Sequence, residues 1–216
     1  MSNGTFDFNV FISESKDVLV NPKSYFSTMK TSGGIAEPLV KVVIYGAIAG
    51  IINILWGLLK IGGIGGIFGS ALGIMGFIWS VIAAVIGLFV GAVILLVISS
   101  ICKGNTDFEA NTRVMAAIMV IMPINALLGF AGGINVYFGS LLSLAVNFFA
   151  LWLMYNGLIE ALKSKPGTTK IVMYVLAALF VIFMLIGFAT RRTATKYIQE
   201  FNDSDLTEQI SEIQPN

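Results

Sequence analysis

Three kinds of residue are missing or scarce in this chain, and each shortage removes a class of function. The sequence has no histidine, the commonest general base and the commonest metal ligand in proteins. Its single cysteine, Cys102, excludes an intramolecular disulfide framework. Charged residues make up only 12% of the chain, against about 25% in soluble domains. The net charge of +1 gives no excess of positive charge that would indicate a nucleic-acid partner.

Apolar residues, in contrast, are too abundant for a water-soluble fold. They make up 56% of the 216 residues, and the mean hydropathy is +0.88. They are also arranged in long blocks, and about 20 consecutive apolar residues suffice for one helix to cross a bilayer. The composition therefore predicts an all-α protein, a polytopic bundle of transmembrane helices.

The apolar blocks and their polar ends define five predicted spans. These lie near residues 39–59, 77–101, 107–131, 136–159 and 171–189. The corresponding organisation is an N-terminal interfacial segment at 1–38, a five-span membrane domain at 39–190 and a polar C-terminal tail at 191–216.

The N-terminal segment has the pattern of a helix that lies on a bilayer surface. One side of this amphipathic helix carries Phe8, Phe11, Ile12 and Leu19. Asn21 and Pro22 then predict the start of a second short helix, because proline suits the first helical position. Gly33 and Gly34 are predicted to end it.

The basic residues favour five spans over six. Five spans place nine lysines and arginines on the side of the N-terminus and four on the opposite side. Dividing the uncharged segment 61–101 into two spans gives seven against six instead. Because positive residues concentrate in cytoplasmic loops, we expect a cytoplasmic N-terminus, and we expect the protein in the cell (inner) membrane.

Charged pairs stand where two of the spans begin. Glu37 and Lys41 flank the start of the first span, and Glu109 and Arg113 flank the start of the third. In each pair the acid precedes the base by four residues and lies near the positive end of the helix dipole. We interpret both pairs as structural, with Lys41 extending outward to water. Loss of either acid would then cost about 0.3–1 kcal/mol.

Prolines, caps and turns mark further helix boundaries. Pro38 suits the first turn of the first span, and residues 106–109 have the pattern of a capping box. Pro123 predicts a kink within the third span, and residues 132–135 predict a turn before the fourth. Amides inside the spans, which we expect to hydrogen-bond between helices, are Asn53, Asn125, Asn147 and Asn156.

Glycines recur at four-residue spacing in the first two spans and between them. The candidate packing positions are Gly46, Gly50, Gly65, Gly69, Gly73, Gly87 and Gly91. In lipid, small residues at this spacing let helices approach closely. The glycine-dense segment 61–76 lacks the lysine and the preceding strand of a phosphate-binding loop. It predicts a packed helix that is re-entrant, interfacial or part of a span.

The order of these segments resembles the Yip1-domain family of five-span membrane proteins, in the form of its short prokaryotic members. The matching stretches are VLVNPKSYFSTMK, GGIAEPLVKVVIYGAIAGI and GNTDFEANTRVMAAIMVIMP, then a glycine turn and a span ending in NGLIEALK, over roughly residues 16–190. The family-motif or structural positions on these stretches are Pro22, Glu37, Pro38, Lys41, Gly104, Glu109, Arg113 and Pro123.

The resemblance implies a membrane protein of the trafficking or membrane-shaping type. Eukaryotic relatives bind prenylated Rab-type GTPases. Here GGIAEP stands where a DLxGP signature would be, so we expect a small GTPase as partner only for a eukaryotic-type relative. The partners expected for this chain are membrane lipids and other membrane proteins, a second copy of the chain among them.

Two classes of function remain open. We expect no catalytic activity and no cofactor, because no nucleophile lies with a base and no carboxylate pair or metal-ligand set is evident. One class is a non-catalytic membrane organiser or scaffold. The other is a channel or transporter for a small neutral solute or ion, which the kinked third span and the glycine segment would suit. The lack of charge at mid-depth in the spans favours the organiser.

Overall fold

The structure, a computed structural model, describes residues 7–59 and 71–187, without the side chains of 71–74 and 136. Throughout these residues the chain forms helices and connecting turns, and no strand occurs among them. Five helical segments of the described chain are long and apolar enough to cross a membrane. The predicted fold class, an all-α bundle with five spans, is confirmed.

Two short helices precede the spans, and two of the spans are built from more than one helix. The elements are α1 Phe8–Val20, α2 Pro22–Thr28, α3 Ala36–Leu58, α4 Ala71–Ile101, α5 Phe108–Ile118, α6 Ile121–Leu128, α7 Phe130–Ile134, α8 Val136–Asn156, a π-helical turn Gly157–Ala161, and α9 Pro166–Gly187. The spans are α3, α4 from Met75, α5 to α7 together, α8 with the π-helical turn, and α9.

The third span lies at the centre of the packing. Its helices contact α3, α4 and α8, and it is the most buried of the five spans. The helix is interrupted between Ile118 and Ile121, where the Met122 N–H bonds to the carbonyl of Met119 at 2.9 Å. Pro123 lies in the first turn of α6, where its missing N–H costs no helical bond. The break falls where Pro123 predicted a kink.

Helices α3 and α4 approach each other at the first glycine pair. A Cβ atom at Gly46 would lie 2.8 Å from the Cβ of Ala84 and 3.2 Å from the carbonyl oxygen of Ser80. The Ser80 hydroxyl donates to the Gly46 carbonyl at 3.0 Å. At Gly50 a Cβ would lie 2.9 Å from the ring of Phe77. The two spans can therefore pack this closely because Gly46 and Gly50 have no side chain.

Two predicted boundaries were wrong. Helix α2 ends at Thr28, before Gly33 and Gly34, because the Ser27 and Thr28 hydroxyls bond to carbonyls of the last turn and Met29 is extended. The predicted glycine turn at 132–135 is largely helical, since α7 continues through the two glycines to Ile134. The chain turns at Asn135, whose side chain accepts from the N–H groups of Tyr137 and Phe138 and so caps α8.

The chain divides into two units, Met1–Ala177 and Ala178–Asn216. All contacts described here lie within the first. The described part of the second unit, residues 178–187, is a continuous helical segment rich in apolar residues. The five predicted spans correspond to described helices, with α4 beginning at Ala71 and α9 at Pro166, each earlier than expected.

Candidate functional site

Helix α1 is held against the first span by an aromatic contact and a hydroxyl pair. The ring of Phe11, which is buried, lies 5.1 Å from the ring of Tyr45. The Ser15 hydroxyl lies 2.8 Å from the Tyr45 hydroxyl. Val18, also buried, packs one further turn along the same side of α1. Tyr45 lies about 12 Å along α3 from Glu37, so α1 is held at a level below the start of that span.

Lys41 joins α1 to α3 through two carboxylates. Its ammonium lies 2.8 Å from Glu37 and 2.5 Å from Glu14 on α1. The Lys41 side chain is only 12% exposed. The predicted i,i+4 pair with Glu37 is present, but the expectation that Lys41 extends outward to water was wrong. Its charge is directed into the protein because Glu14 supplies a second acceptor there.

Arg113 joins α3, α5 and the loop between α2 and α3. Its guanidinium donates to Glu109 at 3.2 Å, to Glu37 at 3.1 Å and to the Gly34 carbonyl at 2.8 Å. The arginine side chain is 6% exposed. Three planar donors therefore meet three acceptors from three parts of the chain, an arrangement that suits the fixed fork of a guanidinium.

The two predicted pairs thus form one charge cluster, made of Glu14, Glu37, Lys41, Glu109 and Arg113. Glu37 connects its halves, because one carboxylate oxygen bonds to the lysine and the other to the arginine. Helical spacing in the sequence indicated each pair separately. It carried no signal for the contact between residues 76 positions apart.

Glu109 does not serve the predicted capping box. The N-cap of α5 is Asp107, whose carboxylate accepts from the Ala110 N–H at 2.8 Å. Glu109 instead accepts from the N–H of Gly34 at 2.6 Å and from Arg113. The capping prediction for Thr106 with Glu109 was therefore wrong, because the Glu109 carboxylate bonds to groups outside its own helix turn. Gly33 and Gly34 have positive φ angles of 129° and 94°, which let the loop reach these side chains.

A cleft of about 450 Å³ opens beside the cluster. Its polar lining comes from Glu14, Asp17, Tyr25, Thr28, Lys30, Glu37, Lys41 and Arg113. Burial, and secondarily the nearby Glu14 carboxylate, raise the pKa of Tyr25 well above its usual value of 10.0. The phenol is therefore neutral at physiological pH and can donate a hydrogen bond in the cleft.

The remaining predicted glycines have different surroundings. A Cβ at Gly87 would lie 3.8 Å from Met119, in ordinary contact, and one at Gly91 would meet the flexible end of Met115 at 2.6 Å. Gly65 and Gly69 lie outside the described residues. Gly73 lies near the start of α4, and its surroundings lie outside the described part as well.

The span amides do not join helices as expected. Asn156 donates to the carbonyl of Trp152 in its own helix at 2.7 Å. Asn53 and Asn125 are exposed on the surface of the bundle, and Asn147 is half-buried. An indole supplies one interhelical bond instead, since the Trp56 N–H donates to the Ala126 carbonyl at 2.9 Å. Hydropathy alone does not distinguish an amide that faces lipid from one that faces a neighbouring helix.

Two loops interlock on the same side as the charge cluster, and we call this pairing of residues 102–107 and 162–165 the loop junction. The Asn105 N–H donates to the Leu162 carbonyl at 2.7 Å, and the Lys165 N–H donates to the Cys102 carbonyl at 2.9 Å. The junction therefore connects the end of α4 to the end of the π-helical turn. Helix α2 packs against the same turn, since Phe26 lies near Gly157, and Pro22 at the start of α2 is buried.

Gly104 fills the tightest position of the loop junction. A Cβ atom there would collide with the Ser164 hydroxyl, lie 2.6 Å from the Ser99 hydroxyl and lie 3.0 Å from the Leu162 carbonyl oxygen. We expect Gly104→Ala to lower the free energy of unfolding by about 1–3 kcal/mol, as overpacking does. Denaturant unfolding in detergent measures the loss. Gly167→Ala, where a Cβ meets nothing within 4 Å, is the control, and equal stability of the two variants would contradict this packing.

Comparison with known proteins places the chain in a family. No curated protein and no solved structure matches it significantly. The Yip1 domain family matches residues 16–189, which include α1 from Lys16, the charge cluster except Glu14, the loop junction and all five spans. With most of its length matched and five helices able to cross a membrane, the chain is a multi-pass membrane protein that belongs to the Yip1 domain family.

Proposed function

We propose that this protein is a non-catalytic membrane organiser that holds a surface helix, α1, within one leaflet of the bilayer. The observation that supports this most directly is the arrangement of α1. Its inner side is fixed to the bundle by Phe11 and Val18, while Phe8 and Ile12 remain about half exposed. A helix that keeps large apolar side chains uncovered after docking has a surface suited to lipid.

The two flanks of α1 differ in polarity. At 100° per residue, Phe8, Ile12 and Leu19 fall on one flank, and Glu14 and Asp17 fall on the other, which lines the cleft. With the polar flank toward water, the apolar flank faces the acyl chains at the level of Tyr45. Inserted there, α1 would add area to one leaflet, and this asymmetry is how a shallow helix shapes a bilayer.

The charge cluster supports a positioning role rather than chemistry. Lys41 and Arg113 are bonded to carboxylates, and these bonds connect α1, α3, α5 and the loop before α3. The charged groups of the cluster are thereby bonded to one another. Their joint effect is to fix the depth and direction of α1 relative to the spans.

The proposed setting is the cell (inner) membrane, with the N-terminus and α1 on the cytoplasmic side. The support is the concentration of basic residues on that side of the five spans. We propose lipids and other membrane proteins as partners, with a second copy of the chain among the latter. The exposed amides of Asn53 and Asn125 support protein contacts, because amides in lipid gain from bonding to another helix.

Vesicle size tests the proposed role. The protein is reconstituted into liposomes at several protein-to-lipid ratios, and vesicle diameters are measured by cryo-electron microscopy. We expect diameters to fall as protein is added, and the effect to be lost in a Phe8→Ser/Ile12→Ser variant. Val20→Ser, which changes an exposed apolar residue on a different side of α1, is the matched control. Unchanged diameters with the native protein would contradict the proposal.

A channel or transporter for a small neutral solute or ion is the second candidate, and the interruption of the third span between α5 and α6 favours it. Against it, Asn53 and Asn125 are exposed on the surface of the bundle. The same liposomes, loaded with glycerol, urea or a fluorescent ion indicator, distinguish the two roles. Flux above that of protein-free liposomes would favour the transporter over the organiser.

A further inference from the structure

Four lysines surround the loop junction and take part in none of the ion pairs of the described chain. Lys103 belongs to the first loop, Lys163 and Lys165 belong to the second, and Lys170 lies in the first turns of α9. All four are exposed, and none has a carboxylate within 4.0 Å among the described residues. Lys41 and Arg113, in contrast, are each bonded to two carboxylates.

Two of these lysines have an unusual backbone. Lys103 and Lys163 have φ angles of 57° and 54°, and they are the two non-glycine residues with positive φ in the described chain. Each lies two residues after the end of a helix, where glycine is the usual residue. Such a conformation costs a side-chain-bearing residue free energy, and residues held in it cluster at active sites, ligand-binding sites and switch regions.

The junction explains which way the lysines point. Their neighbours Cys102, Leu162 and Ser164 are buried, and the backbone bonds between the loops pair Cys102 with Lys165 and Asn105 with Leu162. The left-handed backbone at Lys103 and Lys163 changes the chain direction there, so that these neighbours face inward while the two lysines face outward. The two paired loops therefore place Lys103 and Lys163 on the exposed side of the junction, at one edge of the bundle.

Ordinary roles for lysine do not require this geometry. Orienting the spans needs positive charge in the loops, which a lysine in a relaxed position would supply equally well. Favourable contact with the ends of two helices accounts for a base near each terminus, yet glycine would cap them at lower cost. The unpaired charge and the constrained backbone have a common explanation if an external anion occupies the site.

We propose that the loop junction binds the phosphate of an anionic lipid headgroup in the adjacent leaflet, with Lys103 and Lys163 as the principal contacts and Lys165 and Lys170 beside them. The junction connects the ends of two spans to the starts of two others, so it lies at headgroup level. Lysine ammonium groups are ordinary ligands of phosphate, and basic clusters beside spans attract anionic lipids. This site is separate from the surface helix α1.

Titration with phosphatidylglycerol tests the site. The full chain in neutral detergent micelles is titrated with this lipid, and bound lipid is counted by native mass spectrometry. Lys103→Asn/Lys163→Asn removes both charges while asparagine tolerates the left-handed backbone. Attraction of one lysine to an anionic bilayer corresponds to roughly fivefold in affinity, so we expect about 25-fold weaker binding of the first lipid.

The matched control is Lys16→Asn/Lys30→Asn, which removes two exposed lysines of the same predicted membrane side outside the junction. We expect this control to weaken binding less than about threefold, since it leaves the phosphate contacts intact. Equal losses in the two variants would show attraction to the overall surface charge and would overturn the proposal, as would native affinity in the junction variant. Should the junction variant unfold in the detergent micelles, Lys165→Gln/Lys170→Gln replaces it, and native affinity in that variant would likewise overturn the proposal.

Discussion

Replacing Arg113 with alanine is expected to lower the free energy of unfolding by about 3 kcal/mol, the lower end of the range for breaking a buried ion pair. The arginine is 6% exposed and bonds to Glu37, Glu109 and the Gly34 carbonyl, so its loss takes one donor from each of these three groups. The lower end applies because the Glu37 side chain is 48% exposed, so water can hydrate its carboxylate once the arginine is removed. Unfolding in detergent, followed by tryptophan fluorescence, measures the change.

Two further variants separate the geometry of Arg113 from its charge. Arg113→Lys keeps the charge but lacks the planar fork, so we expect an intermediate loss. Arg113→Met combined with Glu37→Gln removes charges from both sides of the contact, and it should be more stable than Arg113→Met alone. If Arg113→Ala lowered the free energy of unfolding by less than about 1 kcal/mol, its ion pairs would be no stronger than those on a protein surface. That result would contradict the description of Arg113 as a buried member of the charge cluster.

The second large effect is expected from Gly46→Ala, which should lower the free energy of unfolding by about 2 kcal/mol. The added Cβ would meet Ala84 at 2.8 Å and backbone atoms of Ser80 and Val81 at 3.2 Å, so α3 and α4 must separate. Overpacking of this kind costs about 1–3 kcal/mol. The same unfolding measurement applies, and Gly46→Leu should enlarge the loss.

Gly87→Ala is the control for this prediction. It makes the same change in a transmembrane helix, but its Cβ would lie 3.8 Å from Met119, in ordinary contact. We expect stability equal to or above that of the native chain, because alanine is the better helix former by roughly 1 kcal/mol. If the two substitutions had equal effects, close approach at Gly46 would not be what stabilises the packing of α3 on α4.

Helices and their interruptions were predictable because their causes are local. Five apolar blocks predicted five spans, Pro22 predicted the start of α2, and Pro123 predicted the break in the third span. Boundaries failed where local signals competed. Thr106 and Asp107 can both cap a helix, and the sequence alone places Glu109 correctly for a capping box. In the structure Glu109 bonds to Gly34 and Arg113 instead, and local sequence gives no sign of these tertiary bonds.

The charge cluster could be predicted only in halves. Helical spacing puts Glu37 beside Lys41 and Glu109 beside Arg113, but it does not say that α3 and α5 are neighbours at that level. Helical spacing therefore could not predict the bond from Arg113 to Glu37 or the bond from Glu14 to Lys41. The first estimate for losing either acid, about 0.3–1 kcal/mol, assumed isolated pairs, and the joined cluster raises the expectation for Glu37 above that range.

The depth of α1 in the bilayer tests the central claim most directly. Cysteines are introduced singly as Ile12→Cys and Asp17→Cys, labelled with a fluorophore and reconstituted with lipids brominated along their acyl chains; the native Cys102 is buried. The account predicts strong quenching at position 12, on the apolar flank, and little at position 17, beside the cleft. Equal and weak quenching at both positions would place α1 in water and contradict its role as a helix held within one leaflet.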